Sequence, residues 1–230
     1  MFTLNLGWAP ALAFTYLMLF VRIGAMLMLL PALGEDTIPM RLRLAFALLF
    51  TVILYPLLAE IMPPAPTALG GMLALLFHEI AVGLIIGSII RITTMATQVA
   101  GAVIAFQIGL SGAMSADPTQ QGQQSAVFTS FLSFLGITLI FATDLHHVAL
   151  AAIYDSYAVF TPTMPIISED AMQLALKTVA GAFSVGVQMS APFIVFGLVF
   201  NLGAGILSRL MPALQVYFIL MPANIMAGLL

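Results

Sequence analysis

The sequence predicts an all-α membrane protein of helical hairpins, with several helices kinked or broken. Three observations carry that prediction. Hydrophobic residues make up 62% of the chain and charged residues only 7%, against roughly a quarter charged in soluble domains, so six Lys plus Arg and nine Asp plus Glu are too few for a water-facing shell. Apolar runs recur at the length of about 20 residues that a helix needs to cross about 30 Å of hydrocarbon. No alternation of apolar and polar residues marks a strand.

The runs place helices at about 10–33, 44–62, 69–91, 94–109, 125–160 and 174–207, with a last one from 213. The N-terminal MFTLNLGWAPALAF has neither the basic region nor the small-residue cleavage site of a signal peptide, so the first span is expected to stay in the mature chain. The segment 125–160 reads as one long helix or as two, because Asp144, His146 and His147 interrupt it. Pro56, Pro192 and Pro222 each remove a backbone donor and are expected to bend or break their helices. Arg41 and Arg43 between the first two runs, and Arg91 after the third, place the N-terminus away from the cytoplasm on the positive-inside rule.

Polar residues inside the runs need partners that lipid does not provide. Arg22, Glu79, Gln98, Gln107, Gln188 and Asn201 are therefore expected to face protein. Glu79, Gly83, Gly87 and Arg91 recur every four residues, which puts them on one helix face with a small-xxx-small step suited to close helix approach. This stripe reads as a helix-packing interface for docking a neighbouring chain; an internal packing seam is the alternative.

Catalytic chemistry finds little support. GLSG at 109–112 matches a short pattern of intramembrane serine proteases, but Ser111 stands where a helix ends, not where one begins, so no dyad with His146 or His147 is expected. HEIAV at 78–82 starts like a zinc-binding H-E-x-x-H, yet Val82 occupies the second ligand position. Asp144 and His147, three residues apart, could share an ion, but His146 is expected to point elsewhere, leaving the histidines a structural pair and the chain without a metal site. There is no cysteine for a disulfide, a thiolate site or a nucleophile, no phosphate-cradling loop, and no basic run that would attract nucleic acid to a chain of net charge −3. Neither an enzyme nor a cofactor is expected. Transport, conduction or membrane-embedded assembly remain.

FQIGLSGAMSADPTQQGQQSAV at 106–127 is the polar exception in this apolar chain. Irregular backbone at membrane depth is tolerated where it is buried in protein or lines a water-filled cavity. Gly109, Gly112 and Gly122 permit sharp turns, Asp117-Pro118 favours one, and the glutamines bond without charge. Such a loop can close a pore and be moved aside; the same composition also suits an ordinary solvent loop between spans.

Several segments together resemble the FliR family of flagellar biosynthetic proteins, whose injectisome counterparts belong to the same type III secretion group. They are QIGLSGAMSADPTQQGQQSAVFTSFLSF at 107–134, LHHVALAAIYDSYAVFTP at 145–162, LSRLMPALQVYFILMPANIMAGLL at 207–230, FVRIGAMLMLLPALGEDTIPMRLRLAFAL at 20–48 and HEIAVGLIIG at 78–87. The sequence departs from the family at Leu145, where a glycine often stands, and at Ala213-Leu214-Gln215, which replaces a usual Gln-x-Asn. The resemblance spans nearly the whole chain and implies one export-gate domain over 1–230, C-terminally shortened, since the family usually continues through another helix. It implies a subunit of the flagellar export gate in the bacterial inner membrane, at the basal body. There one such chain joins several FliP and FliQ copies in a closed helical spiral beside FlhB, and flagellar proteins pass through in transit. Hairpins of that spiral can lie above the bilayer plane. The resemblance also maps the polar stretch, with Phe106, Gln107, Gly109, Leu110, Ser111, Gly112, Met114, Asp117, Pro118 and Gly122, onto the loop that plugs the channel. The competing class is a polytopic secondary transporter with a discontinuous-helix substrate site, which calls for an inverted repeat that the sequence does not display.

Overall fold

The computed structural model describes residues 9–35, 38–109, 123–163, 169–211 and 216–229; at 123–127, 169–171, 216–218 and 229 it describes the backbone alone. Among these residues the elements are helical throughout: α1 (Ala9–Leu29), α2 (Met40–Leu58) running into a 3₁₀ turn (Ala59–Ile61), α3 (Leu69–Gln107), α4 (Gln123–Ala142), α5 (Leu145–Val159), α6 (Glu169–Leu210) and α7 (Val216–Leu229).

Several boundaries differ from expectation for local reasons. α1 stops at Leu29 and not at 33, because Pro31 follows and Ala32 takes a left-handed φ of 72°. α2 begins at Met40, where Pro39 in extended conformation (ψ 136°) sets the chain for a first turn. Arg41 and Arg43 therefore belong to helix and not to loop, and Arg43 reaches back to the carbonyls of Ile38 (3.0 Å) and Gly34 (3.4 Å). The runs at 69–91 and 94–109 form one continuous helix of 39 residues. Ile92, Thr93 and Thr94 are β-branched, which lowers helix propensity only slightly, and Arg91 lies 4.0 Å from the Glu35 carboxylate. Arg91 is thus not a loop charge, and the orientation argument loses that support. The segment 125–160 is two helices, α4 and α5, bent by 76° at a break where Asp144 adopts φ 58°. Pro192 and Pro222 stand inside α6 and α7, which continue past them.

The chain forms two compact units, one of residues 1–92 and 140–177, the other of 93–139 and 178–230. α1 is the centre of the first. Its Phe14, Met18, Leu19, Ile23, Met26 and Leu27 are buried together with Ala47, Leu54 and Leu58 of α2 and with Ile153 and Tyr157 of α5. Tyr16 adds a hydrogen bond to the Leu48 carbonyl (2.9 Å). One face of α1 is thus covered by α2 and α5, while Leu12 and Leu17 on the rest of the helix stay exposed.

The second unit packs through small residues. Ala96, Ala100 and Ala105 of α3 are buried. A Cβ on Gly101 would lie 2.7 Å from the Cα of Thr129, one on Gly136 would lie 3.2 Å from the Thr97 methyl, and one on Gly186 would lie 2.9 Å from the Ala96 carbonyl oxygen. Backbones approach this closely only where side chains are absent.

Among the described residues, four helical stretches are long and apolar enough to cross a membrane: Ala9–Leu29, Met40–Ile61, Leu69–Gln107 and Met172–Leu210; the bent α4–α5 pair passes the same test jointly. Large apolar side chains are exposed along them, such as Leu49, Val52, Ile53 and Leu57 on α2 and Phe183, Val195, Val199 and Ile206 on α6. This is a membrane-type helical protein.

Candidate functional site: a buried ion pair and the stem of the polar loop

In the first unit, Arg22 of α1 meets Glu79 of α3 in a two-point contact, Nε to Oε2 at 2.6 Å and Nη2 to Oε1 at 2.9 Å, with both side chains fully buried. Nη2 to Oε1 is an aligned, charge-assisted hydrogen bond, whereas Nε and Oε2 touch without hydrogen-bond alignment, so the pair is held by charge and one hydrogen bond. The other arm, Nη1, donates to the Ser156 carbonyl of α5 (3.2 Å). The Tyr157 ring lies 4.2 Å from the guanidinium carbon, a cation–π contact, and its hydroxyl donates to the Leu19 carbonyl (3.3 Å). His78 Nδ1 stands 3.5 Å from Glu79 Oε1. One charge pair thus joins three helices.

The rest of the Glu79 face continues this contact. A Cβ on Gly83 would fall 2.7 Å from the Arg22 carbonyl oxygen and 2.9 Å from the Ala25 methyl; one on Gly87 would fall 3.0 Å from Leu29 Cβ. Glu79, Gly83 and Gly87 therefore pack on this chain's own α1, and Arg91 reaches Glu35. Of the other polar residues expected to face protein, Gln98, Gln188 and Asn201 are exposed on this chain. Gln188 bonds Ser184 (3.2 Å) and Asn201 bonds the Gly197 carbonyl (2.8 Å), both within α6.

In the second unit, the stem of the polar loop is built where α3 ends. Gln107 is the last helical residue, and Gly109 at φ +80° turns the chain left-handed, the conformation in which glycine ends helices at least cost. Helix ends leave carbonyls without partners; here Asn224 of α7 donates from Nδ2 to the Gln107 carbonyl (3.4 Å). A Cβ on Gly109 would sit 3.0 Å from that same nitrogen. Ile108 is buried, and a Cβ on Gly228 would lie 2.7 Å from its Cβ. Phe106 is exposed. Leu110, Ser111, Gly112, Met114, Asp117, Pro118 and Gly122 lie outside the described residues, and α4 resumes at Gln123.

Sequence reading flagged Arg22, Glu79 and Gln107 as polar residues in apolar runs. It missed Asn224, which meets the same criterion within PANIMAGLL, and Tyr157, whose role depends on α5 returning to α1. It also misjudged His146: ligand atoms of Asp144, His146 and His147 all lie within 4.8 Å of one another. Asp144, at the left-handed N-cap, lies 3.7 Å from His147 Nδ1, and the rings of His146 and His147 lean together with centroids 4.0 Å apart.

A model of the family described as bacterial export proteins, family 1, matches residues 13–230. The chain is similar to the flagellar biosynthetic protein FliR of Caulobacter vibrioides, at 47% identity over 212 residues, 92% of this chain and 84% of that protein. It is 30% identical to FliR of Bacillus subtilis over 213 residues, 91% of this chain and 81% of that protein. It is 25% identical over 211 residues to the Yop proteins translocation protein T of Yersinia pestis, 90% of this chain and 80% of that protein. Apolar helices among the described residues, together with the family match over residues 13–230, make this chain a member of family 1 of the bacterial export proteins.

Proposed function

We propose that the chain is a non-enzymatic subunit of the flagellar type III protein-export gate, and that residues 106–122 are its plug loop. The observation that carries this reading is the family match across residues 13–230, which includes the polar stretch between α3 and α4. The relatives are named for flagellar biosynthesis and for Yop protein translocation, not for a reaction. The closure works through low fixed charge, with Asp117 the one charged residue between 106 and 122. Glycines and uncharged glutamines fill space without fixing a counter-ion or binding a passing unfolded chain, as a charged plug would.

Two features support an assembled state. α6 has 42 residues, so it extends about 63 Å, twice the hydrocarbon thickness of about 30 Å, and lipid alone cannot cover it. Gln98, Gln188 and Asn201 stand exposed among apolar neighbours, and polar groups there need protein or water beside them. FliP and FliQ are the partners of this reading, with FlhB beside them in the inner membrane at the basal body. Exported flagellar proteins pass through, and no cofactor takes part.

The bent α4–α5 pair is a feature that a secondary transporter would share. One experiment separates the two readings. Expressed with FliP and FliQ from the same cell, the chain is expected to purify in one complex with both. Recovery of the chain alone, stable and moving a small solute in liposomes, would favour the transporter.

A further inference from the structure

We propose that Asp144, His146 and His147 form a binding site for one divalent transition metal at the corner between α4 and α5. Each residue brings one ligand atom, and the three atoms lie within 4.8 Å of one another. Asp144 Oδ1 and His147 Nδ1 are 3.7 Å apart, longer than a hydrogen bond of good geometry. The two imidazole rings are 4.0 Å apart by centroid. His146 also packs on Phe141, with centroids at 4.9 Å, and its Nδ1 is shielded from water with no hydrogen-bond partner among the described residues. A shielded imidazole nitrogen without a partner is costly, and a cation shared with His147 and Asp144 would satisfy it.

The local backbone makes this convergence possible. Side chains of consecutive residues in a helix diverge by about 100°. Here Asp144 takes φ 58° just before α5, and the His147 amide donates to the Asp144 carbonyl (3.0 Å), which brings the carboxylate beside His147, while the His146 ring leans onto the His147 ring. Metal–nitrogen and metal–oxygen bonds of about 2.0–2.2 Å in tetrahedral geometry set ligand atoms about 3.3–3.5 Å apart. The widest separation must therefore close by more than an ångström. Asp144 and His147 are 78% and 71% exposed, so both can rotate inward without disturbing packed side chains.

The donor set selects the ion. Two imidazoles and one carboxylate suit Zn²⁺, Ni²⁺ or Cu²⁺, while Mg²⁺ and Ca²⁺ want oxygen alone. Three ligands leave at least one position for water. A bound ion would fix the corner by tying the residue that makes the turn to the first turn of α5.

The chain is well suited to the test, having three histidines and no cysteine. The complex with its partner subunits, free of any histidine tag, is titrated with Zn²⁺ against a competing chelator dye and, separately, with Cu²⁺ followed by electron paramagnetic resonance. The expected result is one Zn²⁺ per copy of this chain at micromolar affinity or tighter, with nitrogen hyperfine structure from two imidazoles on Cu²⁺. His147→Ala should reduce the nitrogen count to one, and both His147→Ala and Asp144→Ala should weaken Zn²⁺ at least tenfold while the complex is recovered at wild-type yield. Absence of saturable binding in the wild-type complex overturns the proposal whatever the variants do. So does binding that survives unchanged in the triple alanine variant.

Discussion

Arg22 and Glu79 lie 57 residues apart in sequence and face each other with no exposure to water, joined at 2.6 and 2.9 Å. A fully buried ion pair is poor evidence of net stability, because desolvating both charges offsets most of their attraction. Removing one partner is different, since the survivor is left charged in an apolar surround. Glu79→Ala is therefore expected to destabilise the fold by about 3–5 kcal/mol. The double change Arg22→Met with Glu79→Leu should cost much less. Thermal unfolding of the purified complex, or chain abundance at matched expression, reads the difference. If the double variant is as damaged as the single, the pair does more than neutralise itself.

Gly83 sits one turn along the same face, and its missing Cβ leaves room for the Arg22 carbonyl. Gly83→Leu should therefore prevent α1 from closing on α3, so that the chain fails to accumulate even when partners are present. Gly83→Ala, whose Cβ would lie 2.7 Å from backbone, should have a smaller effect of the same sign. Arg91→Ala, which removes a partly exposed contact to Glu35 at 4.0 Å, should cost less than Gly83→Leu, since exposed pairs contribute about 0–1 kcal/mol. Protease resistance in membranes ranks the three variants. Normal accumulation of Gly83→Leu would show that α1 and α3 do not need this approach.

These two sites show what was legible in the sequence. Composition and run length gave the class and nearly every helix, because lipid-scale apolar stretches are a one-dimensional signal. The four-residue recurrence of Glu79, Gly83 and Gly87 placed them on one face, but periodicity cannot say which helix a face meets, and the structure puts them against α1. Arg22 and Glu79 were each marked as needing a partner; that they are partners depends on the path of the chain between them. A helix boundary failed where a single φ angle decides, at Ala32, and at Asp144 the sequence left one helix or two open where the left-handed φ makes two. The break expected after Arg91 came from treating a charge as a terminator, although a charge inside a helix needs only a counter-charge within reach.

Asn224 ties α7 to the last carbonyl of α3 at the foot of the polar loop. Asn224→Leu keeps the branched shape and removes the donor, which should cost about 1–2 kcal/mol at that helix end. The effect should be local. Hydrogen exchange at the amides of Ile108 and Gly109, which bond the Ile104 and Phe106 carbonyls, should accelerate several-fold, while amides near Arg22 stay protected. Unchanged exchange at Ile108 and Gly109 would mean that the glycine turn alone terminates α3.

The loop itself gives the most direct test of the proposed closure. A gate must hold ions back at rest and admit an unfolded chain when driven, so its plug has to be sterically complete and weakly held. Deleting residues 110–121 keeps the Gly109 turn, the Asn224 contact and the first residues of α4, so the helices around the stem retain their packing. The complex should therefore assemble normally, and what it loses is the material that fills the pore. Cells making the deletion with the partner subunits should show raised ion conductance and small-solute sensitivity, compared with wild type at matched expression. An assembled deletion complex as tight as wild type would assign the principal seal to side chains other than this loop, such as an apolar constriction supplied by partner chains. Leakage together with failed assembly would point to a packing role for the segment. Only leakage from an intact complex is the signature of a plug.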